Sequence, residues 1–464
     1  MFRLVRVAGL SAVVTACSSL SMGNLFSHYS VQNQQVYSAL LSGQYQQAVD
    51  NLPDSIAGDI LDNMEKGRVN LLAQDYPQSK SFLESSEYAI RTQQEQAVVS
   101  LSETASSVGS LAANDNVTSY YPADYEVGFL HLYLALNYLQ ENSLEGALVE
   151  VRKANQVQEQ AKKTREADLA AAQQQMKDDG LSPNLGSILS QYPDAGEQLQ
   201  AVQNGYLLFI SALLYETAGE LNNAYVDYKR ALAVMADNRE IITSTVRVAR
   251  KLGMSDDLVQ LAAQYGELVS TQNKAQKQST GRIIVIDEQG VVSARQGWKQ
   301  SLPIYTSGNW SYFSLSLPYY PKQASQSFAT LKINGQPVRE SQLVDVNLMA
   351  QQDLTERMPT LLFRQALRVV AKEQVRREAA KADDVGNLLV NVWNVLTEQP
   401  DTRSWQTLPA AVYSSQEQLK PGEYELEFGK NTYKVELFEG KTVLVWISRQ
   451  GTNATVWHKQ LGSL

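Results

Sequence analysis

Residues able to do chemistry are scarce in this chain. It holds one cysteine, Cys17, and three histidines, His28, His131 and His458, beside 49 aspartates and glutamates. A His/Cys zinc site would consume nearly that whole supply, and neither H-E-x-x-H nor C-x-x-C occurs. A single cysteine also forbids an internal disulfide. Nucleophile systems fail on the same inventory, because no G-x-S-x-G elbow is present. Gly440-Lys441-Thr442 looks like the end of a phosphate loop, but the first glycine of that motif would fall at Val435. The phosphate cradle is therefore missing, and the tripeptide reads as a turn between strands. His131 stands in a nearly all-apolar helical stretch and reads as a hydrogen-bonded core residue. Carboxylates are numerous enough to supply a pair for glycan hydrolysis, which leaves a carboxylate-based glycan hydrolase as the enzymatic alternative. The leading expectation is a protein that is not an enzyme and has no metal and no cofactor.

The lone cysteine has a more specific context. Arg3 and Arg6 precede an apolar run from Val7 to Ala16, too short to span a bilayer of about 30 Å but suited to a secretory signal. Val14-Thr15-Ala16-Cys17 resembles a bacterial lipobox, in which the cysteine sulfur carries the lipid and becomes the first residue of the mature chain. Residues 1–16 then form a lipoprotein signal peptide and residues 17–28 a lipid-anchored tether. Two acyl chains contribute about 0.8 kcal/mol per buried CH₂, enough for stable anchoring. Ser18 follows, where an aspartate would favour retention in the inner membrane. The resulting expectation is an outer-membrane protein, anchored through palmitate on Cys17 and facing the periplasm.

The elements that carry these residues divide the chain. At 464 residues, with 44% hydrophobic and 19% charged, it has room for two or three domains and is neither disordered nor polytopic. Its net charge of -9 excludes a nucleic-acid partner for the molecule as a whole. From residue 29 to 268 the periodicity is helical and one phrase recurs. It appears as Gly43-Gln44-Tyr45-Gln46-Gln47-Ala48, Gln74-Asp75-Tyr76-Pro77-Gln78-Ser79, Asn142-Ser143-Leu144-Glu145-Gly146-Ala147 and Gly219-Glu220-Leu221-Asn222-Asn223-Ala224. Ala135, Tyr138, Ala147, Val151 and Ala154 match Ala212, Tyr215, Ala224, Tyr228 and Ala231 at a constant offset. These resemble the turn and second helix of tetratricopeptide (TPR) repeats, where small residues let paired helices approach and an aromatic fills the gap between hairpins. Spacing is uneven, so residues 91–120 and 156–200 read as insertions or degenerate hairpins, with Gln156–Asp178 as an exposed helix extension.

Residues 269–281 are polar and read as a linker. Beyond them, residues 282–464 form an α+β domain with period-two patterning: a mostly antiparallel β domain with an inserted helical hairpin. Arg282–Asp287 and Val291–Arg295 are expected to pair as a hairpin across Glu288-Gln289-Gly290. Further strands are expected at Leu302–Tyr305, Tyr312–Leu317, Phe328–Ile333, Ala411–Tyr413, Tyr424–Phe428, Thr432–Phe438 and Thr442–Ser448. The inserted helices run from Asn347 to Leu396, broken at Pro359 and near Asp383-Asp384.

Three features are candidate binding sites. The first helices of the TPR-like units present Phe129, Leu132 and Leu136, and Tyr206, Phe209 and Leu213, to a concave groove. So apolar a groove must be covered, either by the chain's own helices (91–112 or 156–200) or by an amphipathic partner segment. Arg364, Arg368, Lys372 and Arg376 recur every four residues as a basic stripe, which is a solvated face or a surface for an acidic partner. Trp405 anchors the loop Asp401-Thr402-Arg403-Ser404-Trp405, either beneath the sheet or as a surface grip on a sugar or protein.

Taken with Asp124-Tyr125-Glu126, the run Ala147-Leu148-Val149-Glu150-Val151-Arg152-Lys153-Ala154, the run Arg364–Lys372 and Asp401–Trp405 before Leu408-Pro409, the chain resembles a family of TPR-containing envelope lipoproteins of Gram-negative bacteria, one without an established activity. The resemblance implies a role in envelope or peptidoglycan assembly. The function expected is a lipid-anchored scaffold that binds another cell-envelope protein through its TPR-like hairpins. Two alternatives stand beside it: a glycan-binding or glycan-processing protein acting on peptidoglycan through the C-terminal domain, and an assembly factor for a surface appendage or transport machine.

Overall fold

A computed structural model describes residues 29–103, 120–178, 182–183, 203–275, 280–306, 309–321, 326–380 and 400–462. The signal and tether segments, with Cys17, lie outside the described residues. The helical half contains a short turn α1 (Tyr29–Gln32) and then pairs: α2 (Gln34–Leu41) with α3 (Tyr45–Asp50), α4 (Asp59–Leu72) with α5 (Tyr76–Glu103), α6 (Asp124–Gln140) with α7 (Leu144–Asp178), α8 (Gly205–Thr217) with α9 (Leu221–Val234), and α10 (Arg239–Lys251) with α11 (Ser255–Ala275).

Each pair turns on a residue in the left-handed region: Gly43 (φ 66°), Gln74 (63°), Asn142 (61°), Gly219 (78°) and Gly253 (70°). In all five turns the left-handed residue's N–H donates to the carbonyl three residues back, and the next N–H donates to the carbonyl five back from itself, as in Gly219 to Glu216 and Glu220 to Tyr215. This satisfies the last carbonyls of the first helix and reverses the chain in three or four residues. The recurring phrase in the sequence begins on these residues. The fifth turn escaped it because Gly253-Met254-Ser255-Asp256-Asp257-Leu258 has Ser255 where the others have Tyr or Leu, and Leu258 where they have Ala or Ser. Within the pairs the small residues do what packing requires. Ala147 and Ala224 are fully buried, and a Cβ on Gly67 would lie 2.5 Å from Leu83 Cγ.

The second half contributes β2 (Gly281–Gln289), β3 (Gln296–Thr306), β4 (Asn309–Tyr319), β5 (Lys332–Ile333), β6 (Gln336–Pro337), β7 (Ser341–Asp345), helix α12 (Val346–Ala380), β8 (Ala411–Leu419), β9 (Gly422–Phe428), β10 (Asn431–Leu437), β11 (Thr442–Arg449) and β12 (Ala454–Gly462). A two-residue strand β1 (Ser182–Pro183) joins β3 and β4 in one small sheet. The central sheet has the order β12-β11-β2-β8-β7, and a second sheet has the order β10-β9-β5-β6. All pairings are antiparallel except β2 with β11, which run parallel, Arg282 opposite Thr442 through Gln289 opposite Arg449.

Several expectations change here. Val291–Arg295 is not a strand paired to β2, because β11 and β8 already occupy both edges of β2. Gly290 (φ 71°) turns the chain away instead, and Val292 donates to Leu408 O at 2.9 Å. Of Phe328–Ile333 only the last two residues are paired, and β12 was not anticipated. The break expected at Pro359 is absent: the helix runs through it, with Met358, Leu362 and Ala366 fully buried on its inner face, while the break expected near Asp383-Asp384 and the rest of the hairpin fall in residues 381–399, outside the described ones. The linker begins later than residue 269. α11 continues to Ala275 with Val269 buried and its carbonyl bonded by Arg250 Nη2 at 2.8 Å.

β2 and β11 are buried on both faces, which explains their unbroken apolar runs Ile283–Ile286 and Val443–Ile447. One face, through Ile283, Val285, Val443, Val445 and Ile447, packs on Leu426, Phe428, Val435 and Leu437 of the second sheet. The other face, through Ile284, Ile286, Leu444 and Trp446, belongs to one core with the helical pairs. The molecule is thus three-layered: helical stack, central sheet, second sheet.

Candidate functional site

The groove predicted from the helical pairs exists, and its occupant is the central sheet. Phe129 and Tyr133 from α6 and Tyr206 from α8 line it, with ring centroids 5.9 Å (Phe129 to Tyr133) and 6.4 Å (Phe129 to Tyr206) apart. Opposite them, Trp446 stacks on Trp457 at 5.6 Å. At the centre lies an ion pair between Arg68 of α4 and Glu288 of β2, both fully buried. Glu288 Oε1 accepts from Tyr133 OH (3.3 Å), Tyr206 OH (3.2 Å) and Trp446 Nε1 (3.2 Å), and its Oε2 accepts from Ser448 Oγ at 3.0 Å. The Arg68 guanidinium sits 4.4 Å from the Tyr133 ring centroid and donates to Ser448 Oγ at 3.0 Å. A buried charge pair is tolerated only when its remaining hydrogen-bonding capacity is met. Here three helical pairs and two strands meet most of it together, and Arg68 Nη1 is left buried without a partner.

A second contact fixes the loop 401–409. Trp405 is fully buried, and its indole stands edge-on to Tyr133 at 5.8 Å. Its backbone N–H donates to Glu126 Oε1 (2.8 Å), and that of Gln406 donates to Glu65 Oε1 (2.7 Å), so two helix carboxyls receive the loop. Burial pushes the Glu65 carboxyl up to about 8, against the hydrogen bonds from Thr407 and Gln406 that oppose the rise. Burial likewise raises Glu126, with Tyr120 and the Trp405 amide pulling the other way. The edge strand β12 then caps helix ends, Thr455 Oγ1 donating to Leu72 O at 2.5 Å and Lys459 Nζ to Gln140 O at 3.4 Å.

This arrangement corrects the groove candidates. Phe129, Leu132, Leu136, Tyr206, Phe209 and Leu213 are all fully buried in one core shared with Ile284, Ile286, Leu444 and Trp446 of the central sheet, while residues 104–112 and 184–200 of the segments expected to cover them lie outside the described ones. Trp405 is core, not a surface grip. Arg364 is exposed and lies 3.8 Å from Asp168 of α7, while the side chains of Arg368, Lys372 and Arg376 lie outside the described ones. His131 is buried and bonds Glu150 Oε2 at 2.7 Å. Sequence reasoning missed Arg68, Glu288 and Glu65. No local signal sets them apart, because Glu65 and Arg68 stand beside Asp62, Asn63, Lys66 and Asn70, and Glu288 stands between Asp287 and Gln289. Among the described residues no group of three or more His, Cys, Asp or Glu could hold a metal ion. No helix among them is long and apolar enough to cross a membrane.

No protein-family model matches the chain, and no curated protein matches it. Among solved structures it is similar to MamA AMB-1, with 13% identity over 51% of this chain and 90% of that one at a TM-score of 0.28. A second MamA structure matches at 9% identity, 53% and 93% coverage and a TM-score of 0.29. The TPR2AB domain of yeast Sti1, in a pHSP90 complex, matches at 9%, 53% and 95% with a TM-score of 0.19. At TM-scores this low the likeness decides nothing further, and the TPR-like character of the helical half rests on its own hairpin turns and packing.

Proposed function

We propose that the protein is a non-catalytic scaffold, tethered through lipid on Cys17 to the outer membrane and facing the periplasm, that holds another cell-envelope protein. The observation that carries the scaffold reading is how the helical stack is used. Its concave face is filled by the molecule's own sheet, so the stack is a rigid frame, and what the frame extends outward is an arm. Beyond Gln156, α7 is mostly exposed to Asp178; α12 packs along it, and β4 of the β3–β4 ribbon packs on α12. Tyr312 on the ribbon is 79% exposed. The partner surface therefore moves from the groove to this arm. Support for the tether is the lipobox-like Val14–Cys17 behind Arg3, Arg6 and the short apolar run.

In-cell photo-crosslinking tests the arm. A crosslinker at position 312 is expected to capture a cell-envelope protein, and one at position 136 is expected to capture none. Failure at 312 in folded protein removes the arm as the partner surface. Radiolabelled palmitate is expected on the wild-type chain and not on Cys17→Ser; no incorporation in the wild type removes the tether.

A further inference from the structure

We infer that a cleft between the first helical pair and one end of the central sheet is a binding site for a short, uncharged oligosaccharide. The cleft encloses about 670 Å³, within the roughly 300–1,000 Å³ typical of small-molecule sites. Its walls come from both halves of the chain: Tyr37 and Leu41 from α2, Phe328 from the loop before β5, and Tyr413 from β8. The α2 wall is fixed in place, because a Cβ on Gly451 would lie 1.9 Å from Leu41 O, so the helix end rests directly on the β11–β12 turn.

The chemistry of the lining selects the ligand. Three half-buried aromatic rings, Tyr37, Phe328 and Tyr413, offer flat apolar faces of the kind that stack on the C–H face of a pyranose. Between them stand primary amides, each able to donate and accept at once, as vicinal hydroxyls require. Gln342 and Gln351 contribute two, and Asn347, whose Oδ1 already accepts from Ser293 N at 2.7 Å, keeps its amide N–H groups. Among the described residues no lysine or arginine lines the cleft, so a phosphate or carboxylate ligand would lack a charge-assisted partner among them. Among the described lining residues the charged one is Asp345, which accepts the N–H of Leu348 at 2.9 Å.

This site is separate from the arm and stands whether or not the arm binds a partner.

The test uses the full chain, titrated by calorimetry with chitotriose, maltotriose and cellotriose, and with glucose 6-phosphate as the charged comparator. At least one trisaccharide is expected to bind, with glucose 6-phosphate at least tenfold weaker. Tyr413→Ala and Gln351→Ala are each expected to weaken binding about tenfold or more. Val226→Ala, on an exposed face of α9 away from the cleft, is the unchanged control. Circular dichroism checks that each variant folds; Gln351→Ala, whose side chain is half-buried, carries the test if Tyr413→Ala does not fold. No binding of any of the three trisaccharides, binding unaffected by a folded cleft variant, or preference for the phosphorylated sugar overturns the inference.

Discussion

The two faces of the central sheet are built from different materials. Toward the second sheet the contact is apolar and mostly aliphatic: Ile283, Val285, Val443, Val445 and Ile447 meet Leu426, Phe428, Val435 and Leu437. Toward the helical stack the same strands present Glu288, Ser448 and Trp446, which engage Arg68, Tyr133 and Tyr206 in one hydrogen-bonded network. An aliphatic contact tolerates sliding, since apolar burial has no direction. A buried ion pair engaged by four neighbours, Tyr133, Tyr206, Trp446 and Ser448, keeps those hydrogen bonds in one geometry alone. The comparison therefore separates cohesion, supplied on the outer face, from registration, supplied on the inner one. A fold made of two unlike halves needs both.

Breaking the inner face should have the largest effect. Glu288→Ala leaves the Arg68 guanidinium buried without its carboxylate and is expected to cost about 3–5 kcal/mol in urea unfolding. Arg68→Met with Glu288→Leu, which removes both charges, is expected to recover most of that loss. If the double variant is no better than the single one, the pair is packing rather than electrostatic registration.

Next in size is the loop contact. Glu65→Ala removes the acceptor of the Gln406 N–H and is expected to cost about 1–3 kcal/mol, whereas Glu65→Gln keeps an acceptor and should cost less. The pH dependence has a definite sign. A carboxyl raised from 4.5 to about 8 binds its proton more tightly when folded, so its contribution is complete below about pH 4.5 and is lost as pH rises through about 8. Glu65→Gln should flatten stability across that window. Glu216 gives the opposite case. Burial would raise it, but Arg247 and Lys251 overcome that and hold it at about 2, so its contribution is present above about pH 4.5 and is lost as pH falls toward 2.

On the aliphatic face the expected effect is smaller. Ile283→Val should cost about 0.5–1.5 kcal/mol. Lying well along β2 from Glu288, it should add to Glu288→Ala within about 0.5 kcal/mol. Strong coupling between the two would mean that the faces are not independent. Smallest is Arg364→Ala in the arm, whose pair with Asp168 at 3.8 Å joins side chains that are 57% and 54% exposed. It should change stability by less than about 1 kcal/mol.

Much of the helical half was legible because its signals are local. The left-handed turn at Gly43 or Gly219 and the small residue at Ala147 or Ala224 act over a few positions, and their spacing states what they do. The fifth pair was illegible only because Ser255 and Leu258 replace the residues that mark the turn. In the second half the strands were found where they alternate, as at Thr432–Phe438. The pairing of β2 was misread because a strand with both faces covered has no alternation, and the next extended segment in the chain was taken for its neighbour. The groove residues read as an apolar surface that must be covered, and they lie in a core shared with the central sheet, a neighbour that local periodicity does not name.

What the amino-acid order settled unaided was which surfaces are apolar, where the chain reverses, and that its one thiol stands in a lipobox-like context. These follow from short-range sterics and periodicity. Only tertiary structure decided what lies on each surface: that Arg68 finds Glu288 across 220 residues, that Trp405 is received by Glu126 and Gln406 by Glu65, and that Tyr37 and Tyr413 face one cleft. Periodicity reports the face that must leave water, but many covers would serve it equally. The choice among them is made by the polar groups that must be satisfied at the same time, and those partners are set by the folded geometry.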